Sequence, residues 1–449
     1  MVLKLSKEQE EVLNIDFNQN IIVKACAGSG KTFLLMERAL KHLKNLKKSY
    51  KKIAILTFNN SIKNEIQSKM KNKTSEKIYI FTFHSFFINF ILPFSNEIDI
   101  KIENKKEIRF NFNKKAINFA DWKEILRNEK IIVTSQKTKE DFLLSYTYGI
   151  LFRNKSCQEY FKSKFECIYI DEAQDNNEIQ YKFIDLFIEL GIKIFMVGDP
   201  NQNINSFRGA NTEKFNEYIK KANIYTTKEL SKNYRCHKDI DEFANGYDFN
   251  IIKNDGEQGV FQINDFDELK DIEKLTILRK TNDDCKEYIE KDYFYMKEPK
   301  ELNDFIDKYL IDNLLKNYFT SKNSIEFLKK IIDEENINKK NIKTLQEFFS
   351  HPNLKMIEKL NTEVFNKYGY DINGEEREKL LELLKNKEIQ RFYNFNNEKK
   401  VVMTIHSSKG LQFDNVLIYK DDFYYYSKLQ KENFYVACTR AENRLFIIK

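Results

Sequence analysis

Ala25-Cys26-Ala27-Gly28-Ser29-Gly30-Lys31-Thr32 follows the apolar run IIVK and opens an amphipathic pattern, FLLMERALKHL. In a loop of this kind the glycines let backbone N–H groups curl around phosphate oxygens. The lysine offsets β/γ charge, and the threonine hydroxyl suits Mg²⁺. Only Ala25, where a first glycine often stands, departs from the pattern. A loop match alone is a modest signal; a strand before it and a helix after it make nucleotide binding the expectation.

Further on, Ile168-Tyr169-Ile170 ends in Asp171 and Glu172. Alone, an acid pair at a strand end is most simply a solvated one. Beside the loop around Lys31 it acquires roles: Asp171 for a direct or water-mediated Mg²⁺ contact, and Glu172 for the base that orients and deprotonates an attacking water.

Elements must hold these groups in place. Short β-branched runs ending in small, polar or acidic residues recur: IIVKACAGSGKT, KIAILTFNN, CIYIDEAQD and KIFMVGDPNQ, then KLTILRKTN, VVMTIHSSKG, NVLIYK and RLFIIK. Separated by helical patterns, they predict buried strands of parallel sheets, whose carboxyl ends gather ligands. Two stretches, roughly 93 to 158 and 285 to 394, are dominated by charged amphipathic patterns such as SIEFLKKIIDEEN and EEREKLLELLKNK. The expected fold class is α/β, with two RecA-like parallel-sheet motor domains, each interrupted by a mainly helical insert. The boundaries are 1–92 with 159–228, insert 93–158, 229–284 with 395–449, and a reduced insert 285–394.

The 449 residues exceed what one core ordinarily supports. The net charge of +7, from 75 basic against 68 acidic residues, permits a nucleic-acid partner without demanding one. Six scattered cysteines and five histidines have no metal-ligand spacing, so neither structural zinc nor a disulfide framework is expected. Cys26, Cys236 and Cys438 fall in or beside motifs, but small apolar packing explains them better than redox control. No apolar run approaches the roughly 18 to 20 residues of a membrane span, and a cytoplasmic protein with no membrane partner is expected.

Further segments lie in a recognisable order. They are LSKEQEEVL at 5–13, TFNN at 57–60, TFHSF at 82–86, DEAQD at 171–175 and VGDPNQNINSFRGA at 197–210. NYR at 233–235, LRKTN at 278–282, TIHSSKGLQFDNV at 404–416 and YVACTRA at 435–441 follow. Together they resemble the motor motifs of the UvrD/Rep/PcrA family of superfamily-one helicases, over both motor domains but not the inserts. The resemblance implies an ATP hydrolase using ATP and Mg²⁺. Its nucleotide site would comprise Gln9 on the adenine edge, Ala27, Gly28, Ser29, Gly30, Lys31, Thr32, Arg38, Tyr234 stacked on adenine, and Gln412 near the ribose. Metal would be held by Thr32 and Asp171. Lys31, Glu172 and the γ-phosphate sensor Gln202 would act with Arg235 and Arg440, whose fork-shaped guanidiniums suit the charge of phosphoryl transfer.

Single-strand binding without sequence preference needs cations for phosphates and aromatic faces for bases. The resemblance carries this role to Phe58, Asn59, Thr82, Phe83, His84, Phe207, Arg208 and His406. At Phe83 a core role and a track role are evenly matched. Two departures stand out: Gln412 replaces a usual Glu, and Asn205 a usual aromatic.

The implied function is an ATP-dependent 3′–5′ translocase or helicase in DNA repair or replication restart. Its partners would be single-stranded DNA and duplexes with single-stranded tails. The alternative, motivated by small inserts and a chain stopping just after RLFIIK, is the helicase subunit of a Gabija-like anti-phage defence complex with a separate nuclease. A non-hydrolysing DNA-binding scaffold is the third reading, and Lys31 and Glu172 argue against it.

Overall fold

The computed structural model describes residues 5–48, 50–58, 60–70, 77–102, 108–137, 140–204, 209–305, 308–321, 323–332, 336–368, 370–423 and 428–448. Its first strands are β1 (Asn20–Ala25), β2 (Lys52–Thr57), β3 (Ile78–Thr82), β4 (Arg109–Ala116) and β5 (Ile131–Ser135). They are followed by β6 (Phe165–Ile170), β7 (Lys193–Gly198) and β8 (Tyr225–Leu230). Next come β9 (Gly259–Ile263), β10 (Leu275–Arg279) and β11 (Phe294–Tyr295), then β12 (Lys400–Thr404), β13 (Phe413–Tyr419) and β14 (Ala441–Ile448).

Two six-stranded parallel sheets result, in the orders β3-β2-β6-β7-β1-β8 and β11-β12-β10-β13-β14-β9. This is the α/β class that the alternating strand and helix patterns predict. Strands such as β2 and β7, buried along nearly their whole length, read as continuous apolar runs because helices cover both faces of a parallel sheet. In the first sheet β1 lies between β7 and β8, pairing Val23 with Val197 and Lys24 with Glu229. β6 lies between β2 and β7. The loop after β1, the acid pair after β6 and the segment after β7 therefore emerge at one edge of the sheet, because parallel strands end together.

The stretch 93–158 contains the helices Phe119–Glu129 and Phe142–Arg153, as its amphipathic pattern predicts. It also contains the parallel pair β4–β5, which the pattern did not announce. The charged sequence RFNFNKKA alternates weakly, and a register shift between Asn111 and Lys115 breaks its period. The stretch 285–394 is mainly helical, with helices Lys308–Lys316, Ser324–Ile331, Lys339–Ser350, Leu354–Leu360, Gly374–Lys385 and Lys387–Tyr393. They share one apolar core that includes Leu314, Phe327, Phe348, Leu360, Phe365 and Leu380.

Two compact units divide the chain: Met1–Ile98 with Lys137–Cys285 and Met403–Lys449, and Asp99–Gln136 with Lys286–Val402. Every site residue named below belongs to the first. Among the described residues no helix is long and apolar enough to cross a membrane.

Candidate functional site

Two helix starts at the head of the chain are built for different purposes. Helix Lys7–Asn14 closes its own first turn with a reciprocal capping box between Ser6 and Gln9. Helix Lys31–Lys44 begins at Gly30, in the left-handed region at φ 81°, with no side-chain cap. Its first-turn N–H groups are left for an acceptor outside the helix, which is how such a loop receives phosphate.

The loop is gripped on three sides. Gly28 has φ 66°, and a Cβ there would stand 2.0 Å from Asn233 Oδ1 and 2.6 Å from the Cβ of Arg235. Glycine is therefore what lets the NYR segment lie against the loop. The Tyr234 N–H seals this contact by donating to the Gly28 carbonyl at 3.0 Å. Gln9 Nε2 donates to the Ser29 carbonyl at 3.0 Å, and Ser29 Oγ donates to the Cys26 carbonyl at 2.9 Å. From the far end of the chain, the Tyr435 hydroxyl accepts the Ala27 N–H at 2.9 Å.

Charged groups converge below the loop. Lys31 is buried, with Nζ 3.3 Å from the Cys26 carbonyl and 3.9 Å from Asp199 Oδ2. Thr32 Oγ1 donates to Asp171 Oδ2 at 2.9 Å. Glu172, at φ 51°, is one of few non-glycine residues in the left-handed region, a conformation that costs a side-chain-bearing residue about 1–2 kcal/mol. Its carboxylate accepts from Gln174 Nε2 at 2.5 Å. Asp199 Oδ2 accepts from Gln202 Nε2 at 2.8 Å. Lys409 pairs with both Asp175 oxygens, at 2.8 and 2.7 Å, and also donates to the Gln202 carbonyl at 2.7 Å.

The electrostatics separate the two neighbouring acids. Burial and the charge of Glu172 raise the pKa of Asp171 above the ordinary carboxylate value. Burial acts on Glu172 as well, but Lys31, Lys409, the Gln174 hydrogen bond and Arg440 prevail and lower it. Glu172 is thus the one held ready as an anion. Arg440, 1 % exposed, has donors engaged by the carbonyls of Val436 (3.0 Å) and Leu411 (2.9 Å) and by Thr439 Oγ1 (3.2 Å). Burial and the like charge of Arg235 bring its pKa down to about 10. Arg235 reaches the Thr439 carbonyl at 3.4 Å.

Thr32 and Asp171 offer the hard oxygen donors that Mg²⁺ takes when substrate phosphates complete its shell, so these residues fit that ion. Among the described residues no group of three or more His, Cys, Asp or Glu forms a self-sufficient metal site. The Cys26 thiol, pushed up to about 11 by burial and by Asp199, is a poor nucleophile at neutral pH.

Most residues expected around the nucleotide are drawn into this network. Tyr234 is 54 % exposed, with the Lys232 ammonium over its ring 5.1 Å from the centroid, an exposed aromatic that a base could stack against. Gln412 is exposed beside β13. Gln9 and Arg38, like Arg440, are engaged within the chain. Both ends of the Gln9 amide are engaged, by Ser29 and by the Ser6 N–H at 3.0 Å. Arg38, 2 % exposed, donates to the carbonyls of Val12 (2.7 Å), Ile15 (3.0 Å) and Asp16 (3.4 Å), capping helix Lys7–Asn14.

The expected strand-track residues lie at element ends. Phe58 is half-buried just after β2. Thr82 caps helix Phe83–Phe90 through Ser85. Phe83 is 2 % exposed with its ring 6.0 Å from that of Phe87, a core position offering no free ring face in this conformation. His84 Nε2 lies 2.7 Å from Asp141 Oδ2, and exposed His406 places Nε2 3.1 Å from the Ile204 carbonyl. Asn59, Asn205, Phe207 and Arg208 lie outside the described residues. The sequence reading gave no role to Gln174, Asp199, Lys409 or Tyr435; their only signal was membership of the motifs DEAQD, VGDPNQ, TIHSSKG and YVACTRA.

Comparison with known proteins adds to this geometry. The family model described as the UvrD/REP helicase N-terminal domain matches residues 5–142 and 113–223, and that of the UvrD-like helicase C-terminal domain matches 297–449. The chain is 28 % identical to the Gabija protein GajB of Bacillus cereus (strain VD045), covering 96 % of this chain and 92 % of that protein. It is 25 % identical to an ATP-dependent DNA helicase PcrA of Staphylococcus epidermidis, over 58 % of this chain and 41 % of the helicase. To a PcrA of Staphylococcus aureus it is 26 % identical, over 53 % and 38 %. The chain thus matches less than half the length of these helicases. An arterivirus nonstructural protein 10 helicase superposes on 99 % of this chain and 61 % of its own, at 11 % identity and a TM-score of 0.35, too loosely to carry an argument.

Proposed function

The chain belongs to the UvrD-like helicase family, and from that premise we propose that it is an ATP-driven single-stranded-DNA motor serving as the helicase subunit of a Gabija-like anti-phage assembly, with nuclease activity on a separate chain. The observation that carries this is the end-to-end match to GajB, set against the partial match to PcrA. A stand-alone role in DNA repair or replication restart is the second reading, and the PcrA match favours it. In either role the motor moves 3′ to 5′, following the family resemblance.

The site supplies the groups that hydrolysis needs. Backbone N–H groups from Gly28 to Thr32 and the Lys31 ammonium hold the β- and γ-phosphates. Thr32 and Asp171 would hold Mg²⁺, which would offset the phosphate charge. Glu172 takes a proton from the attacking water as its oxygen bonds to the γ-phosphorus and the bond to the bridging oxygen breaks, releasing ADP and phosphate. Gln202, Arg235 and Arg440 meet the γ-phosphate, Tyr234 stacks on adenine, and Gln412 lies by the ribose. Residues 1–92 with 159–228 form one motor domain and 229–284 with 395–449 the other, interrupted by inserts 93–158 and 285–394. Phe58, Asn59, Thr82, His84, Phe207, Arg208 and His406 would contact the single strand, whereas Phe83 packs in the core beneath it.

The test is steady-state ATP hydrolysis with and without single-stranded DNA, beside Lys31→Ala and Glu172→Gln. Stimulation by DNA that both variants abolish is expected; a rate indifferent to DNA sinks the motor reading. Purification of a tagged chain, with a search for a co-purifying nuclease encoded by any neighbouring gene, separates the two roles. A stoichiometric complex supports the defence subunit, and its absence favours the stand-alone helicase.

A further inference from the structure

Gln174 lies in the motif that follows β6, and its hydrogen bonds run to Glu172, Asp199 and Asn203. Fully buried, it uses both ends of its amide. Its Nε2 donates to Glu172 Oε2 at 2.5 Å and its Oε1 accepts the Asp199 N–H at 3.0 Å. The amide has only one workable orientation, because a carboxylate accepts and a backbone N–H donates. Its backbone carbonyl accepts from Asn203 Nδ2 at 3.0 Å. Room for it is made at Gly198, where a Cβ would stand 2.7 Å from Gln174 Oε1. Asp199, tied to Gln174 through its backbone, holds Gln202 through its side chain.

We infer that Gln174 is a positioning residue: it fixes the Glu172 carboxylate and links it to the Asp199–Gln202 segment, so that this segment and the base move as one. The proposal rests on Glu172 being the base of an ATP hydrolase. A group held through a single hydrogen bond loses its aim when the donor goes, and misplacement by about an ångström costs as much as a hundredfold in rate.

Gln174→Met keeps the length of the side chain and removes both polar contacts. DNA-stimulated turnover should fall by about tenfold to a hundredfold, while affinity for a non-hydrolysable ATP analogue stays within about twofold. Hydrogen exchange at the Asp199 amide should accelerate. A purely space-filling role predicts loss of binding and turnover together, or of neither, and either pattern overturns the proposal. So does wild-type exchange at Asp199. If the methionine variant fails to fold, Gln174→Asn, too short to span both partners, is held to the same outcomes. If the wild-type chain proves unable to hydrolyse ATP, the functional reading fails, and exchange at Asp199 alone decides whether the link exists.

Discussion

The Ala27 N–H donates to the Tyr435 hydroxyl at 2.9 Å, joining residues 408 positions apart in the chain. The same hydroxyl lies 3.4 Å from Asp199 Oδ2, so one side chain on helix Lys428–Cys438 spans the phosphate loop and the segment after β7. Tyr435 is 3 % exposed. Tyr435→Phe keeps the ring and strands a buried amide, at a cost of about 1–3 kcal/mol. Urea unfolding should show a lower midpoint at unchanged slope. An unmoved midpoint means that the hydroxyl contributes nothing to holding the loop.

Arg38 is expected to act on stability before it acts on nucleotide. Its guanidinium satisfies the last carbonyls of helix Lys7–Asn14 and lies 4.8 Å from the Phe17 ring centroid. Each charge-assisted bond lost exposes a buried carbonyl, worth about 1.5–3 kcal/mol. Arg38→Lys should rescue little of this, because a point charge cannot reproduce the fork. Thermal unfolding of Arg38→Lys and Arg38→Met, with the KM for ATP alongside, checks this. A normal melting temperature with a raised KM would return Arg38 to the nucleotide.

Why some of this was legible beforehand and some not follows from what a sequence pattern encodes. That Lys31, Thr32, Asp171 and Glu172 come together was legible because a phosphate loop and a strand-end acid pair each draw on few residue types at fixed spacing. The strands were legible because burial on both faces forces continuous β-branched runs. Strand β4 was not, since its charged residues and register break leave no clean alternation. Gln174 and Tyr435 act through contacts between segments remote in sequence or through a local turn, and no spacing rule announces those. Arg38 shows the converse: the family resemblance implied a nucleotide contact, whereas the nearby helix end uses its donors.

Lys409 and Asp175 form a buried ion pair, 14 % and 1 % exposed at their side chains. Removing one partner of such a pair leaves an uncompensated charge and costs about 3–5 kcal/mol, whereas replacing both costs much less. Lys409→Met and Asp175→Asn should each destabilise strongly. The double variant should lose clearly less than the sum, a coupling read from urea unfolding of all four proteins. Additive losses would show that the two residues act independently.

His84 and Asp141 form a pair whose strength depends on pH. Desolvation works to lower the pKa of His84, but the charge of Asp141 and the hydrogen bond to it prevail and raise it. Asp141 is shifted oppositely: desolvation raises it, while the charge and hydrogen bond of His84 and the N–H groups of Leu144 and Leu143 lower it. The His84 contribution to stability is fully present below its unfolded value of 6.5 and is lost as pH rises through the elevated folded value. The Asp141 contribution is present above 3.8 and is lost as pH falls through the depressed folded value. The pair is therefore fully formed between these limits. With half of the imidazole exposed, solvent screens it and its energy is small, so the sensitive readout is the titration itself. The His84 ring protons, followed by NMR, should titrate above 6.5, and Asp141→Asn should bring the midpoint down. A wild-type midpoint at or below 6.5 refutes the pairing. If His84 borders the strand track, affinity for single-stranded DNA should weaken as pH rises through the measured midpoint, and His84→Gln should flatten that dependence because it removes the charge of this imidazole.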